Sequence, residues 1–178
     1  MGKTSFIRSI LGLSTKDVQT TLGIDFFTMT ISFNNTAAYV TLWDTAGSER
    51  FRSLMHSYVR DSNIVFIIYD LTDRNAMASV AQGFRDLEHC KPEVVAVVGN
   101  KRDLRPVMTH DVSNTIKPWT RQGWNIVTGT CSARESTSTK KLFVRCLNNT
   151  VVSPKGSVVA AVPIRLIPRP VASAKCCT

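Results

Sequence analysis

The chain has 178 residues, 43% of them hydrophobic, and a formal net charge of +9 from 22 basic against 13 acidic side chains. That length buries one core without demanding a second domain. No run approaches the roughly 18 apolar residues of a membrane span, because Val158 to Val162 is stopped by Pro163. The basic residues are scattered, with no run of five like charges, so a nucleic-acid reading rests on net charge alone.

The first element follows Gly2-Lys3-Thr4-Ser5. Phe6, Ile7, Ile10 and Leu11 recur at helical spacing and Gly12 can end the helix. Free amides at its start favour phosphate, with Lys3 as a point charge and the Thr4 hydroxyl available to Mg²⁺. Alone, this is only the end of the phosphate-loop pattern G-x-x-x-x-G-K-[ST]. Phe6 breaks the myristoylation pattern, while Lys3, Arg8 and Lys16 ahead of Asp17 would also suit a transit peptide. Thr21, before Leu22-Gly23-Ile24-Asp25-Phe26, could close on the same ion from a loop. Thr28 to Phe33 and Ala38 to Trp43 alternate around Asn34-Asn35-Thr36 and predict an antiparallel hairpin. Asp44, at the end of its second strand, can hold Mg²⁺ through water, and the Gly47 amide can approach a terminal phosphate.

Ile64 to Tyr69 and Val94 to Val98 are continuous apolar runs, as in parallel strands covered on both faces. Both end at polar residues, Asp70 and Asn100. Met77, Val80, Phe84 and Leu87 mark the crossover helix between them. A helix over Asp111 to Gln122 is expected to break or end early at Pro118, which costs about 3 kcal/mol in a helix interior. Asn125 to Cys131 predicts a last strand, weakened by Gly129, and Leu142, Phe143, Cys146, Leu147 and Val151 a last helix. Isolated Cys90, Cys131 and Cys146 suit small buried side chains in a reducing compartment. Residues 151–178 carry Pro154, Pro163, Pro168 and Pro170 and four basic residues with no acid, which predicts a flexible tail suited to an anionic membrane surface. The pattern is that of an α/β fold with a mostly parallel sheet, helices on both faces, and its ligand at the carboxyl edge.

Trp43-Asp44-Thr45-Ala46-Gly47 followed by Asn100-Lys101-Arg102-Asp103 points to a guanine nucleotide, the first motif for phosphate and metal and the second for the base. Guanine presents N1–H and the N2 amine as parallel donors that the Asp103 carboxylate can accept together, and adenine has no such pair. Two charge-assisted hydrogen bonds, at about 1.5 to 3 kcal/mol each, separate the purines by roughly a hundred-fold to ten-thousand-fold. Ser132-Ala133 after the last strand can offer an amide to the base carbonyl, although a tight turn explains that pair equally well.

Taken in order, these motifs resemble a small GTPase of the Ras superfamily, closest to the Rab branch, over residues 2 to 150. The resemblance implies a P-loop NTPase-type G domain over 1–150 and a tail over 151–178, with GTP/GDP and Mg²⁺ as cofactors. It assigns Gly2, Lys3, Thr4, Ser5, Thr21, Asp44 and Gly47 to phosphate, with Thr4, Thr21 and Asp44 on the metal. Asn100, Lys101, Asp103, Ser132, Ala133 and Arg134 fall to the base. Rab-like wording stands in Leu22 to Phe26, Ser48 to Arg52 and Ile68 to Thr72. Phe26, Trp43 and Tyr58 fall where that branch carries effector-facing aromatics, for which core packing is the alternative. Cys176-Cys177 resembles an end that receives two geranylgeranyl groups, and Lys175 excludes the C-a-a-X route. The implied partners are effectors, an exchange factor, a GTPase-activating protein, prenylation and membrane-extraction machinery and an endomembrane, with no nucleic acid. The implied location is the cytoplasmic face of an endomembrane with a cytosolic pool.

Three departures qualify this expectation. Met1 directly precedes the Gly-Lys-Thr, so the family's first strand, which lies mid-sheet between residues 38–43 and 64–69, and the opening of its phosphate loop are missing. An amino-terminally truncated sheet would forgo about four buried aliphatic side chains, roughly 6 to 12 kcal/mol. Ser48 stands where the family carries the water-orienting Gln, which implies slow hydrolysis. Arg134 replaces a Lys, and Val59-Arg60-Asp61-Ser62 departs from Rab wording. The competing readings are a non-catalytic interaction module, an inactive remnant and, on charge alone, a nucleic-acid binder.

Overall fold

The computed structural model describes residues 2–16, 18–21, 23–33, 36–45, 59–104, 111–150 and 157–162. In chain order the elements are α1 (Lys3–Leu11), β1 (Ile24–Phe33), β2 (Thr36–Thr45), β3 (Ile64–Asp70), α2 (Ala76–Leu87), β4 (Val94–Asn100), α3 (Val112–Arg121), β5 (Ile126–Thr130), α4 (Ser136–Leu147) and β6 (Ser157–Val162). They form a six-stranded sheet in the order β1-β2-β6-β3-β4-β5. Only β1 and β2 pair antiparallel, and every other pairing is parallel. The expected α/β sheet with helices on both faces is present. The expected turn residues Asn34 and Asn35, and Val151, lie outside the described residues.

The continuous apolar runs have a simple cause. In β3, Ile64, Phe66 and Ile68 join one core with Phe6, Ile7 and Ile10 of α1 and Leu142, Phe143 and Leu147 of α4. Val65, Ile67 and Tyr69 join the other, with Val80 and Phe84 of α2 and Ile116 and Trp119 of α3. A strand buried on both faces has no polar side to show. Phe66 anchors the first core between Phe6, at a ring-centroid distance of 5.4 Å, and Phe143, at 6.2 Å. Burial pushes the Cys131 and Cys146 thiols up to about 12, so both pack as small apolar groups.

Three expectations are corrected. Pro118 does not break its helix, because α3 runs through it to Arg121. Ile116 and Trp119 are buried on either side of it, and Trp119 stacks on Phe84 at 4.6 Å. The ring meanwhile sits on the exposed face above exposed Asn114, whose carbonyl water can satisfy. Gly129 does not mark a weak strand: a Cβ there would lie 2.6 Å from Leu142 Cδ1, so glycine lets α4 approach β5. Third, the expected flexible tail contains β6. It lies in the slot between β2 and β3 that was expected to lack its strand, so the predicted gap in the sheet does not exist.

Candidate functional site

The carboxyl ends of β3 and β4 are level, with Asp70 registered against Asn100. Beyond Asn100 the backbone turns through Lys101 at φ 67°, a left-handed conformation that a lysine rarely adopts. Lys101 Nζ meets Asp70 Oδ2 at 2.6 Å, while Asp70 Oδ1 accepts from the Thr72 amide at 2.9 Å and the Thr72 hydroxyl at 2.7 Å. Burial pushes the Asp70 carboxyl up, but Lys101 and the two Thr72 donors outweigh it and hold its pKa below the ordinary value. Asp70 was not expected as a site residue. The signal was two adjacent strands ending at the same level in polar residues, and only the register turns that into a contact.

Asn100 joins three segments. It is buried, and its Oδ1 accepts from the Ala133 amide at 2.9 Å. Its Nδ2 would lie 2.9 Å from a Cβ at Gly2, which also has φ 84°. Gly2 is therefore required twice over, by its backbone conformation and by this close approach. The loop amides expected to serve a base carbonyl all donate within the protein: Ala133 to Asn100, Ser132 to Ser138 Oγ at 3.3 Å and Arg134 to Ser132 Oγ at 3.2 Å. A base carbonyl would have to share one of them.

Asp103 accepts from the Ser132 hydroxyl at 2.6 Å through Oδ1 and from Arg134 Nη1 at 3.3 Å through Oδ2. The Ser132 bond is the largest influence on its pKa and lowers it; burial opposes, and its own backbone amide, Arg134 and Lys101 lower it further. A carboxylate has about four lone-pair sites, so an incoming base would share the carboxylate with Ser132, Arg134 and the Asp103 amide. Gly2, Ser5, Asn100, Lys101, Asp103, Ser132, Ala133 and Arg134 line one cavity of about 220 Å³, together with Thr15 and Leu104, which had not been expected.

The other end lies at the start of α1. Asp44 Oδ2 accepts from Thr4 Oγ1 at 2.7 Å and from Thr21 Oγ1 at 2.9 Å, and the two hydroxyl oxygens are 2.9 Å apart. Asp44 is 1% exposed, and its Oδ1 is buried without a hydrogen-bond partner among the described residues. One carboxylate and two hydroxyls form an oxygen donor set suited to Mg²⁺, which keeps several waters. An orphaned carboxylate oxygen beside them suits a water on such an ion. Lys3 is 7% exposed, and no acceptor holds its ammonium among the described residues. Burial pushes its pKa down, and the Asp44 charge offsets part of that. A desolvated cation on the first turn of α1, where helix amides lack intrahelical partners, can take an anionic oxygen.

Phe26 and Trp43 face each other across β1 and β2 with ring centroids 5.5 Å apart, and Phe26 is 60% exposed. Core packing is thus excluded for Phe26. Gly47, Ser48, Tyr58, Cys176 and Cys177 lie outside the described residues. The described candidates fall into two groups, one at the carboxyl ends of β4 and β5 and the other built from α1, Thr21 and the end of β2.

This order of motifs on this sheet has a counterpart among known proteins. A sequence model of the Ras family matches residues 1–151, and the chain belongs to that family.

Proposed function

We propose that the protein is a guanine-nucleotide-binding switch of the Rab type acting in vesicle and membrane traffic. The observation that carries the nucleotide reading is the pairing of the Thr4, Thr21 and Asp44 oxygens with buried Lys3 at one end of the site and the Asp103 carboxylate at the other. Lys3 and the first amides of α1 would hold the outer phosphates, and Asp103 would receive the base donors. Thr4 and Thr21 would bind Mg²⁺ directly and Asp44 through water. When bound, the ion neutralises phosphate charge. Loading the purified chain with labelled GTP, with and without magnesium, tests this reading. Saturable, magnesium-strengthened binding of GTP over ATP supports it, and equal binding of the two sinks it.

Asp44→Ala removes the shared acceptor of both threonines. Relief of the orphaned Oδ1 is outweighed by loss of the Thr4 and Thr21 hydrogen bonds and of the attraction to buried Lys3, each worth about 1 to 3 kcal/mol, so stability without nucleotide should fall. Magnesium should no longer strengthen GTP binding. Titrations with and without the ion check this, and a magnesium effect as large as the parent's would refute the role of Asp44.

Thr21 lies in the segment leading to β1, so a ligand contacting it could order that segment as a γ-phosphate orders a switch. The pair of exposed Phe26 and half-buried Trp43 would be read by effectors, with Tyr58 as its third member. An exchange factor and a GTPase-activating protein would reset the cycle. Among the described residues no helix is long and apolar enough to cross a membrane. Attachment to the cytoplasmic face of an endomembrane would come from prenylation of Cys176 and Cys177, with extraction machinery maintaining a cytosolic pool. Ser48 is too short to orient attacking water, so hydrolysis should be slow and Ser48→Gln faster in single-turnover assays; identical rates would contradict the assignment. Exposed Phe26 beside Trp43 also favours a second reading, an interaction module that does not hydrolyse GTP. Absence of nucleotide binding with retained aromatic-dependent partner capture would select it.

A further inference from the structure

The two helix layers differ in charge. Counted with their caps, α1 and α4 carry Lys3, Arg8, Lys140, Lys141 and Arg145 against Glu135 alone, a net of +4 (5 − 1). Counted in the same way, α2 and α3 carry Arg85, Lys117 and Arg121 against Asp86, Glu88 and Asp111, a net of zero (3 − 3). The sheet therefore separates a cationic face from a neutral one. Lys3 is buried, and Glu135 is held by Arg102, whose Nη2 lies 2.9 Å from Glu135 Oε2. That leaves Arg8, Lys140, Lys141 and Arg145 on the α1/α4 face, with none of them in an ion pair among the described residues.

The two helices make one continuous surface. Buried hydroxyls lock them together, with Ser9 Oγ and Thr139 Oγ1 2.8 Å apart and Ser136 Oγ donating to the Ser9 carbonyl at 2.8 Å. Lys140 reaches over the end of α1, its Nζ 3.6 Å from where a Cβ at Gly12 would stand. Exposed Leu13 follows Gly12, and exposed Val144 precedes Arg145, so apolar side chains are interleaved with the cations. Between α4 and β5 the same face holds a cavity of about 380 Å³, within the range of small-molecule sites. Arg102, Lys141 and Arg145 line it together with Thr130 and Ser138, and Glu135 is the one acid in the lining. Strand β5 is the last of the sheet, and Arg145 Nη2 donates to its Thr128 carbonyl at 2.5 Å. That bond fixes the guanidinium and leaves further N–H donors of the same fork for a ligand. Fixed cations beside hydroxyls suit the oxygens of a phosphate group.

We propose that the α1/α4 face is a docking surface for an anionic lipid bilayer and that the cavity between β5 and α4 takes a phosphate-bearing headgroup. Arg8 and Lys140 lie outside the cavity, where a small free anion would leave them unused and a charged bilayer would not. Leu13 and Val144 favour a bilayer over a nucleic acid, which offers them no apolar layer. The surface acts without nucleotide and without prenylation.

Flotation of the full-length, unlipidated chain with vesicles tests this, and it can fail while the switch reading stands. Vesicles of phosphatidylcholine alone should not bind. Those containing phosphatidylserine should, and those containing a phosphatidylinositol phosphate at equal total charge should bind more tightly. Each cation near an anionic surface changes affinity about five-fold, so Lys140→Gln/Lys141→Gln should bind roughly thirty-fold more weakly. Its thermal midpoint should not move, because both side chains are exposed and have no ion pair among the described residues. Lys117→Gln/Arg121→Gln removes the same charge from α3 and should bind as the parent does. Residues 151–178 are common to all these chains, so they cannot produce the difference. Arg145→Gln should erase the preference for the phosphatidylinositol phosphate, and an unchanged preference would remove the cavity from the proposal. Equal losses in the two double variants, or parental affinity in Lys140→Gln/Lys141→Gln, would overturn the docking face. A soluble inositol phosphate bound as tightly as the vesicles would overturn the lipid source, and single-stranded RNA bound more tightly than vesicles through Lys140 and Lys141 would overturn the membrane.

Discussion

Asp103→Ala is expected to lower affinity for GTP and GDP by about a hundred-fold to ten-thousand-fold, the worth of two charge-assisted hydrogen bonds at about 1.5 to 3 kcal/mol each. Affinity for ATP should remain at its low starting value, so the loss appears as lost discrimination. The carboxylate is held in place by its neighbours. Ser132 and Arg134 each occupy one site on it, fixing the plane in which the remaining lone pairs point. Asp103→Asn sharpens the test, because an amide accepts one proton and donates another. It should weaken guanine and favour xanthine, which carries an oxygen at C2 where guanine carries the amine. Calorimetric titration with GDP, XDP and ADP reads all three outcomes, and a Asp103→Ala chain that still prefers guanine to adenine would remove Asp103 from the base site.

The same carboxyl has a pH signature. Its pKa is held below the ordinary carboxylate value, so the folded chain keeps it ionised where the unfolded chain begins to bind a proton. The stabilisation from Ser132 and Arg134 is therefore present above the unfolded pKa, about 3.9, and lost as pH falls through the lower folded value. Guanine discrimination should accordingly be flat from neutral pH down to the ordinary carboxylate range.

Local signals told most of the fold. Apolar runs ending in Asp70 and Asn100, alternation on either side of Asn34-Asn35 and the spacing of Phe6, Ile7 and Ile10 each specify an element from within a few residues. What escaped notice depends on distant neighbours. Pro118 is judged disruptive by backbone chemistry alone, yet the helix runs through it with Trp119 stacked on Phe84, 35 positions away in sequence (119 − 84). Gly129 looks like weakness until Leu142 is seen beside it. Val158 to Val162 has no period to read and sits among prolines, so composition argued for a tail; its strand character exists only because β2 and β3 present two facing edges. In the candidate site, the motif residues stand out one by one in the sequence. Their mutual bonds were not: the Asp70–Lys101 pair, and the Ser132 and Arg134 contacts to Asp103, require β3, β4 and β5 to end at one edge.

Lys3→Met should move stability and binding in opposite directions, which separates a phosphate ligand from a structural cation. In the free chain Lys3 is buried, its pKa lies below the ordinary 10.5, and Asp44 only partly offsets the desolvation. Between the lowered folded value and 10.5 the unfolded chain binds more protons, so stability rises with pH across that window. An unbranched methionine fills similar space without the charge. Thermal unfolding without nucleotide should thus be unchanged or shifted upward. GTP binding should fall by roughly a hundred-fold to ten-thousand-fold if two charged hydrogen bonds of about 1.5 to 3 kcal/mol each are lost. Guanosine, which has no phosphate, should bind the variant as it binds the parent. Phosphate oxygens beside Lys3 would also raise its pKa again, so the parent should take up protons on binding GTP at alkaline pH and the variant should not. Equal losses for guanosine and GTP, or a destabilised chain, would show that Lys3 supports the fold instead of holding phosphate.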